Sequence, residues 1–341
     1  MTNYAYANAR VSILAGRLLS ETRLTELLNQ PVGQQHTGDP KFDEWLNDLK
    51  VDSTQLEQIW LMKMLADFEV LIRPLAGGER ELLLYWLRKC EIANIKTIVR
   101  GKLGGQNAND LRGQLMELGN FATLPVEQLL RTEDVSELLR QLETSPYGDI
   151  ARQARRVFDK EHQLYSLDAA IDRHYLSGLV QRVRSLTSQQ REPLLPLFSL
   201  FMDRFNLLWL LRYRFSYHLS AAETYYLLIP TPYRLNRNRL QSLAELNTLP
   251  ELLAHLPEPL SSWLAQTDSV FAVDQCLLLQ IRRIAEQTLR WRSFTLAKIF
   301  AYVLLREMEM RRVMAIVKGK RLKLTPQMVS LAAEYSTALM A

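Results

Sequence analysis

Three stretches of the sequence follow one pattern: CEIANIKTIVRGK (residues 90–102), MDRFNLLWLLRYR (202–214) and MEMRRVMAIVKGK (308–320). Each has an acid near its start, a polar residue three positions later, and basic residues nine and eleven positions after the acid. A residue typical of a helix N-cap comes sixteen or seventeen positions after each acid. Linked features at nearly constant offsets indicate a threefold internal duplication.

The aligned positions hold the acids Glu91, Asp203 and Glu309, the polar residues Asn94, Asn206 and Arg312, the basic residues Arg100, Lys102, Arg212, Arg214, Lys318 and Lys320, and the cap residues Asn107, Ser220 and Thr325. Residues three or eleven positions apart lie on similar faces of an α-helix, whereas residues nine apart lie on opposite faces. The acid and its polar neighbour fit a structural bracket that hydrogen-bonds two helices, or alternatively a contact with a partner.

The basic residues also fit two interpretations. They can complement the negative end of their own helix, or they can form a docking surface for an acidic or carbonyl-rich partner. In two of the stretches a glycine, Gly101 or Gly319, separates the two basic residues. Glycine is the residue that most readily adopts the left-handed conformation at a helix end. We therefore expect a left-handed turn at both glycines.

The composition is that of an ordered helical protein. Of the 341 residues, 48% are hydrophobic and 23% are charged, and there are only 13 glycines and 13 prolines. Good helix formers outnumber β-branched residues, which favours an all-α fold. The repeat predicts three similar helical modules, at residues 1–148, 149–262 and 263–341, that surround a pseudo-threefold axis or stack in an arc.

The spacing of apolar residues predicts long helices over about 54–73, 79–101, 150–186, 193–217, 274–290 and 294–319, with an interruption near 165–167. Ser220 and Glu223 have the spacing of a capping box, and Thr325 followed by Pro326 is a helix start signal. The most apolar stretches, 59–72 and 294–305, are short and interrupted by charged residues. Neither is expected to span a membrane, which requires about 20 apolar residues.

The sequence holds no pattern typical of an active site. The five histidines, including His162, lack metal-binding spacing, and the two cysteines, Cys90 and Cys276, lie far apart. The segment GKLGGQ (101–106) lacks the order of a phosphate-binding loop and is interpreted as a helix-ending turn. We expect no catalytic residues, no bound cofactor and no metal site.

A net charge of +5 is compatible with attraction to phosphates, acidic proteins or an anionic membrane. The most basic loop is RLNRNR (234–239), near Tyr225, Tyr226 and Tyr233. It fits a solvated loop, a loop facing lipid headgroups or a neighbouring protein of a complex, or a nucleic-acid contact. Charge alone does not choose among these interpretations.

Three stretches, one of which includes the last repeat, give the sequence a resemblance to a known family. LLREMEMRRVMAIVKGKRLKLTPQMV (304–329) resembles the C-terminal signature of the C/d family of V/A-type ATPase subunits, also described as AC39-like. YAYANARV (4–11) resembles the family's N-terminal motif, and LDAAIDRHYLSGLV (167–180) resembles the start of its second module. The sequence departs from the family pattern at Tyr213, where the other repeats have glycine, and at Arg312, where asparagine is expected.

The resemblance implies a non-catalytic rotor subunit of the central stalk in an ATP-linked proton or sodium transport complex. It implies a funnel-like socket that receives the D and F shaft subunits and sits on the membrane proteolipid ring. The protein would then be peripheral on the cytoplasmic face of the membrane, with no small-molecule substrate and no nucleic-acid partner. Two alternatives stay open: a helical scaffold and a basic nucleic-acid-binding module, both unrelated to ATPases.

Overall fold

The computed structural model describes residues 2–48, 50–161 and 164–335, and within these ranges it contains helices and no strand. This confirms the all-α prediction. The first ten helices are α1 (Tyr4–Ala15), α2 (Glu21–Asn29), α3 (Pro40–Asn47), α4 (Ser53–Ile72), α5 (Gly77–Leu103), α6 (Ala108–Arg112), α7 (Val126–Arg131), α8 (Val135–Leu142), α9 (Gly148–Glu161) and α10 (Leu164–Ser185). The remaining helices are α11 (Ser188–Leu211), α12 (Ala221–Leu227), α13 (Arg237–Ala244), α14 (Leu249–Ala254), α15 (Leu260–Leu264), α16 (Val270–Trp291), α17 (Leu296–Arg321) and α18 (Pro326–Tyr335).

The predicted long helices are all present, with shifted ends. The break expected near 165–167 lies slightly earlier, since α9 ends at Glu161 and α10 begins at Leu164. Helix α11 begins before the predicted residue 193 and includes Pro193 and Pro196. The unpredicted helix α3 has an Asp39 cap followed by Pro40, which is a common start signal.

The described residues form two compact units that each combine distant parts of the chain. Unit 1 comprises the described residues within 1–77, 187–211 and 248–341, and unit 2 those within 78–186 and 212–247. The boundaries of the three predicted modules, at 148 and 262, stay a prediction.

Helix α17 is the centre of unit 1, where it packs against α1, α2, α4, α11, α16 and α18. Nineteen of its residues are buried, including the charged Glu307 and Glu309. The Tyr302 hydroxyl donates to Asp67 of α4 at 2.8 Å. The pKa of Tyr302 is raised, mainly because burial disfavours the charged phenolate and also because the Asp67 carboxylate lies beside it. A helix buried on nearly every side is the expected core element of a layered helical unit.

In unit 2, helix α10 packs along α5 through the stretch 167–180. The Lys96 ammonium of α5 donates to Asp172 of α10 at 2.8 Å, with both side chains nearly buried. The Tyr175 hydroxyl donates to the Trp86 carbonyl at 2.9 Å. A Cβ atom at Gly178 would lie 2.1 Å from the Tyr85 hydroxyl, so glycine is required for this close approach. The stretch that resembles the family motif thus contributes the packing face of α10.

By length and hydropathy, one helical stretch in the described ranges, Ser188–Ser216, could cross a membrane. Within its most apolar window, 89% of the residues are buried inside the protein. This stretch differs from the two that the sequence pattern singles out, 59–72 and 294–305. Burial of this degree is typical of a core helix in a globular protein.

Candidate functional site

The three repeated stretches end in the same local backbone geometry. Residues Gly105, His218 and Lys323 adopt positive φ angles of 69°, 55° and 56°. Each lies two positions before the N-cap of the next short helix, and the side chain of each cap accepts a hydrogen bond from a first-turn amide. The predicted caps Asn107, Ser220 and Thr325 are therefore confirmed. Two non-glycine residues in the left-handed region mark a conformation that the surrounding fold imposes.

The left-handed turns expected at Gly101 and Gly319 are wrong, because both glycines lie inside helices. They are needed for close packing instead. A Cβ atom at Gly101 would lie 2.0 Å from Leu111 Cδ2, and one at Gly319 would lie 2.9 Å from Val329 Cγ2. Each glycine thus allows the following short helix to approach the long one.

The middle repeat departs from this arrangement at Tyr213. A π-helical turn occupies Arg212–Ser216, and the Leu219 amide donates to the Tyr213 carbonyl. In the other two repeats, Gln106 and Leu324 donate to the carbonyls of Gly101 and Gly319. The middle repeat has one additional residue between this position and its cap. A π-helical turn is the usual way in which a helix absorbs one inserted residue.

Glu91 is the centre of a buried hydrogen-bond cluster in unit 2. Its Oε1 accepts from the backbone amides of Thr123 and Leu124 at 2.5 and 2.6 Å. Its Oε2 accepts from the Thr123 hydroxyl at 2.6 Å and from the Tyr147 hydroxyl. Burial, together with this carboxylate, raises the pKa of Tyr147. One carboxylate therefore holds α5, the loop before α7 and the residue before α9 together.

Asn94, three positions after Glu91, joins α5 to a second point of the same segment. Its side-chain amide donates to the Met116 carbonyl, and its Oδ1 accepts from the Met116 amide, both at 2.8 Å. In the middle repeat, Asp203 and Asn206 are buried, with 1% and 0% of their surface exposed. All four side chains lie in interior positions.

Glu309 has an equivalent contact in unit 1, but its partner is near the other end of the chain. Its Oε1 accepts from the Leu19 amide at 2.5 Å, and its Oε2 accepts from Arg306. Burial raises the pKa of Glu309, although the Arg306 guanidinium opposes this shift. The acid of the last repeat thus binds the segment that leads into α2.

Arg312 strengthens the same junction between α17 and α2. Its guanidinium donates two hydrogen bonds to Glu21, with N–O distances of 2.5 and 2.8 Å. The hydrogen bond from Arg312 is the main reason that the pKa of Glu21 falls to about 2. Where the family pattern has asparagine, this protein therefore has Arg312, which forms a bidentate ion pair with Glu21.

In the first and last repeats, the basic residue eleven positions after the acid binds carbonyls at the end of another helix. The Lys102 ammonium donates to the carbonyls of Leu130 and Thr132, at the end of α7. The Lys320 ammonium donates to Leu27 and Gln30, at the end of α2. Such carbonyls lack partners within their own helix, and a cation there also complements the helix dipole.

Arg214 also binds acceptors within the protein in the middle repeat, but these precede α14 and do not follow its end. Its guanidinium donates to the Leu219 carbonyl at 2.7 Å, to the Leu246 carbonyl at 3.4 Å and to Asn247 Oδ1 at 3.0 Å. Two of these acceptors, on Leu246 and Asn247, lie just before α14, whose sequence position matches that of α7. All three residues, Lys102, Arg214 and Lys320, therefore direct their donors to acceptors within the protein.

The basic residues nine positions after the acid are more exposed. Arg100 pairs with Asp168 at 2.5 Å and Lys318 pairs with Glu57 at 2.5 Å, while 49% and 44% of their side-chain surface stays accessible. Arg212 is exposed. Residues nine apart lie on opposite helix faces, so this difference follows from geometry. The docking role proposed for the six basic residues stays a prediction.

Comparison of the first and last repeats explains why α2 lies against α17. In the first repeat, the bracketed loop and the capped helix follow the long helix in sequence. In the last repeat, the equivalent contacts are made by residues 19–30, whose amides and carbonyls meet Glu309 and Lys320. The sequence pattern contained no signal for this pairing, because its partners lie about 290 positions apart.

The remaining sequence features lie outside the three repeated helix ends. Within residues 2–48, 50–161 and 164–335, no group of His, Cys, Asp or Glu side chains could hold a metal ion. His162 lies outside the described residues. In the basic loop, Arg237 donates to the Tyr225 hydroxyl at 2.6 Å and Arg239 to the Arg234 carbonyl at 2.9 Å.

Comparisons with known proteins agree with this architecture. The family model described as ATP synthase (C/AC39) subunit matches residues 7–330. The chain is 24% identical to the C subunit of the A-type ATP synthase of Methanocaldococcus jannaschii, covering 95% of this chain and 84% of the relative. It is 25% identical to that of Thermococcus kodakarensis and 26% identical to that of a Desulfurococcus species; each alignment covers 93% of this chain and 86% of the relative.

These matches decide against a scaffold or nucleic-acid-binding module unrelated to ATPases. They also agree with the resemblance seen in the stretches 4–11, 167–180 and 304–329. Because the family model covers nearly the whole chain, the protein belongs to the ATP synthase (C/AC39) subunit family, whose members are peripheral subunits of V/A-type rotary ATPases.

Proposed function

We propose that this protein is a non-catalytic socket in the central stalk. It would receive the D and F shaft subunits and sit on the membrane proteolipid ring, at the cytoplasmic face of the membrane. In this role it transmits rotation between the shaft and the ring during ATP-linked proton or sodium transport. The three repeated helix ends would surround a pseudo-threefold axis in a funnel-like arrangement.

The repeated helix end is the observation that carries this proposal. At each of the three ends, a left-handed residue precedes a capped short helix. At each end a basic side chain also binds backbone carbonyls. An adapter under torque must resist local deformation, and partly buried charge-assisted hydrogen bonds contribute such resistance. The buried carboxylates of Glu91 and Glu309, which accept hydrogen bonds from backbone amides of other segments, also suit a rigid coupling element.

The exposed basic residues supply the candidate docking groups. Arg212 and Lys318 are accessible, whereas Lys102 and Lys320 are occupied by carbonyls inside the protein. Docking through the exposed members would leave the helix ends intact. An acidic or carbonyl-rich surface on the shaft or the ring is the complementary partner.

The test is a binding assay with purified D/F pair and with detergent-solubilised ring. We expect this protein to bind both and to bridge them in one complex. Arg212→Glu combined with Lys318→Glu should weaken at least one of the two contacts by about tenfold. Arg112→Glu is a matched control, because Arg112 is a half-exposed, ion-paired cation outside the predicted docking set. A protein that binds neither partner would contradict the socket, and unaltered binding by the double variant would contradict the docking role.

A further inference from the structure

The turn between α16 and α17 exposes two aromatic side chains at one end of unit 1. Trp291 is 80% exposed and Phe294 is 58% exposed. Phe294 has a φ of 59°, a conformation that non-glycine residues rarely adopt. Its backbone amide donates to Asn8 Oδ1 of α1 at 3.3 Å, which attaches the turn to that helix. The fold thus holds large apolar groups in water at a constrained position.

The surroundings of these aromatic residues are basic. Arg290 and Arg292 flank Trp291 and are exposed. In the part of the chain that the structure describes, no carboxylate pairs with either guanidinium. The acid four positions before Arg290, Glu286, pairs with Arg282. Lys298 is buried and joins α17 to α1 through Asn8 at 2.9 Å. The turn therefore presents two exposed aromatic rings beside two exposed guanidinium groups.

The corresponding turns of the other repeats lack these features. Residues 73–76 before α5 and residues 186–187 before α11 contain no aromatic residue. All three turns precede the long helix of a repeat, so closing the repeat does not require aromatic side chains there. Exposed apolar side chains that the fold does not require are candidates for an interaction site when they lie together.

We infer that this aromatic–basic turn, residues 290–294, binds the anionic headgroup region of a lipid bilayer. Tryptophan and phenylalanine partition into the interfacial region of membranes, and nearby arginines are attracted to anionic lipids. The rings project from a turn, which suits insertion into a deformable interface. An acidic protein surface would satisfy the arginines but would have to provide a pocket for both rings. Membership in a family of peripheral subunits of a membrane complex places such an interface within reach.

The test uses the purified full-length protein in flotation assays with phosphatidylcholine vesicles, with and without phosphatidylglycerol. We expect binding only to the anionic vesicles. Arg290→Glu combined with Arg292→Glu should weaken that binding at least about thirtyfold, from the attraction of two cations to an anionic surface. Trp291→Ala combined with Phe294→Ala should weaken it about tenfold through the loss of inserted apolar area. The exposed positions make these variants compatible with folding, which circular dichroism would verify.

Two matched controls keep the assay specific to this turn. Tyr226→Ala combined with Leu322→Ala removes apolar side chains that are 65% and 72% exposed elsewhere. Arg112→Glu combined with Arg152→Glu reverses two half-exposed cations that lie outside the turn. Both controls should bind vesicles like the unaltered protein. The inference is overturned if the unaltered protein ignores anionic vesicles, or if control and test variants lose binding equally.

A pull-down of D, F and the ring with the same variants separates this inference from the proposed socket. If vesicle binding is absent but the test variants lose binding to D, F or the ring, the turn is a protein interface and the lipid assignment is wrong. The vesicle assay uses no other protein of the complex, so its failure leaves the socket proposal unaffected.

Discussion

Replacing Glu91 by alanine is the most direct test of the buried bracket. The carboxylate accepts four hydrogen bonds in a site where only 2% of Glu91 is exposed. In Glu91→Ala, the hydroxyls of Thr123 and Tyr147 can rotate toward other acceptors, but the amides of Thr123 and Leu124 cannot. An unsatisfied buried donor costs about 1–3 kcal/mol. With two amides unsatisfied and charge assistance lost, we expect destabilisation by about 4 kcal/mol.

Glu91→Gln should be much milder because its geometry allows a substitute network. The remaining side-chain oxygen can accept from both backbone amides, while the new NH2 group donates to the hydroxyls of Thr123 and Tyr147. Only the charge assistance is lost, which corresponds to about 1–2 kcal/mol. Comparing the loss of unfolding free energy in Glu91→Ala with that in Glu91→Gln therefore tests the hydrogen bonds themselves, because a side chain of similar size is present in the glutamine variant.

Hydrogen exchange measured by mass spectrometry on the peptide spanning 119–131 gives a local readout, alongside urea unfolding. A local loss of about 4 kcal/mol corresponds to exchange about a thousandfold faster in Glu91→Ala. Glu127→Ala serves as the control, since Glu127 lies in the same segment with 60% of its side chain exposed. Equal exchange rates in Glu91→Ala and the unaltered protein would refute the bracket.

Three further results are expected. Lys320→Met should destabilise α2 by about 2 kcal/mol by leaving carbonyls at its end without a donor, seen as faster exchange over residues 24–30. Gly101→Ala should destabilise by about 1–3 kcal/mol in urea unfolding despite the higher helix propensity of alanine, and adding Leu111→Ala should relieve the clash. Finally, the pKa of Glu21 is about 2 in the folded protein against an ordinary value of 4.5; its stabilising contribution is therefore present above pH 4.5 and lost as the pH falls toward 2. In Glu21→Gln, the melting temperature should therefore change less between pH 4.5 and pH 2 than it does in the unaltered protein.

Each of these expectations has a matched control. Lys318→Met removes a neighbouring lysine whose side chain is 44% exposed, and should change stability by at most about 1 kcal/mol. Leu111→Ala alone supplies the reference for the double variant with Gly101→Ala. Glu26→Gln removes a surface carboxylate near Glu21 and should leave the acid dependence unchanged. A Lys320→Met effect no larger than that of Lys318→Met would contradict the capping role.

The repeat itself could be read from the sequence because its signals are local. The caps at Asn107, Ser220 and Thr325 follow from side chains that hydrogen-bond within one turn. The opposite faces of residues nine and eleven positions after each acid follow from helical geometry. Glycine, however, serves both left-handed turns and close packing, so sequence alone assigned the wrong role to Gly101 and Gly319.

The sequence by itself thus determined the all-helical class, the similarity of the three helix ends, the cap positions and, through resemblance, the family. Only the tertiary structure decided that residues 19–30 complete the last repeat, that Lys102 and Lys320 bind carbonyls, and that a π-helical turn absorbs the extra residue near Tyr213. The physical reason is the separation along the chain over which each interaction acts. Propensity and capping act within a few residues, whereas the partner of a buried charge is selected by which segments pack together, whatever their separation along the chain.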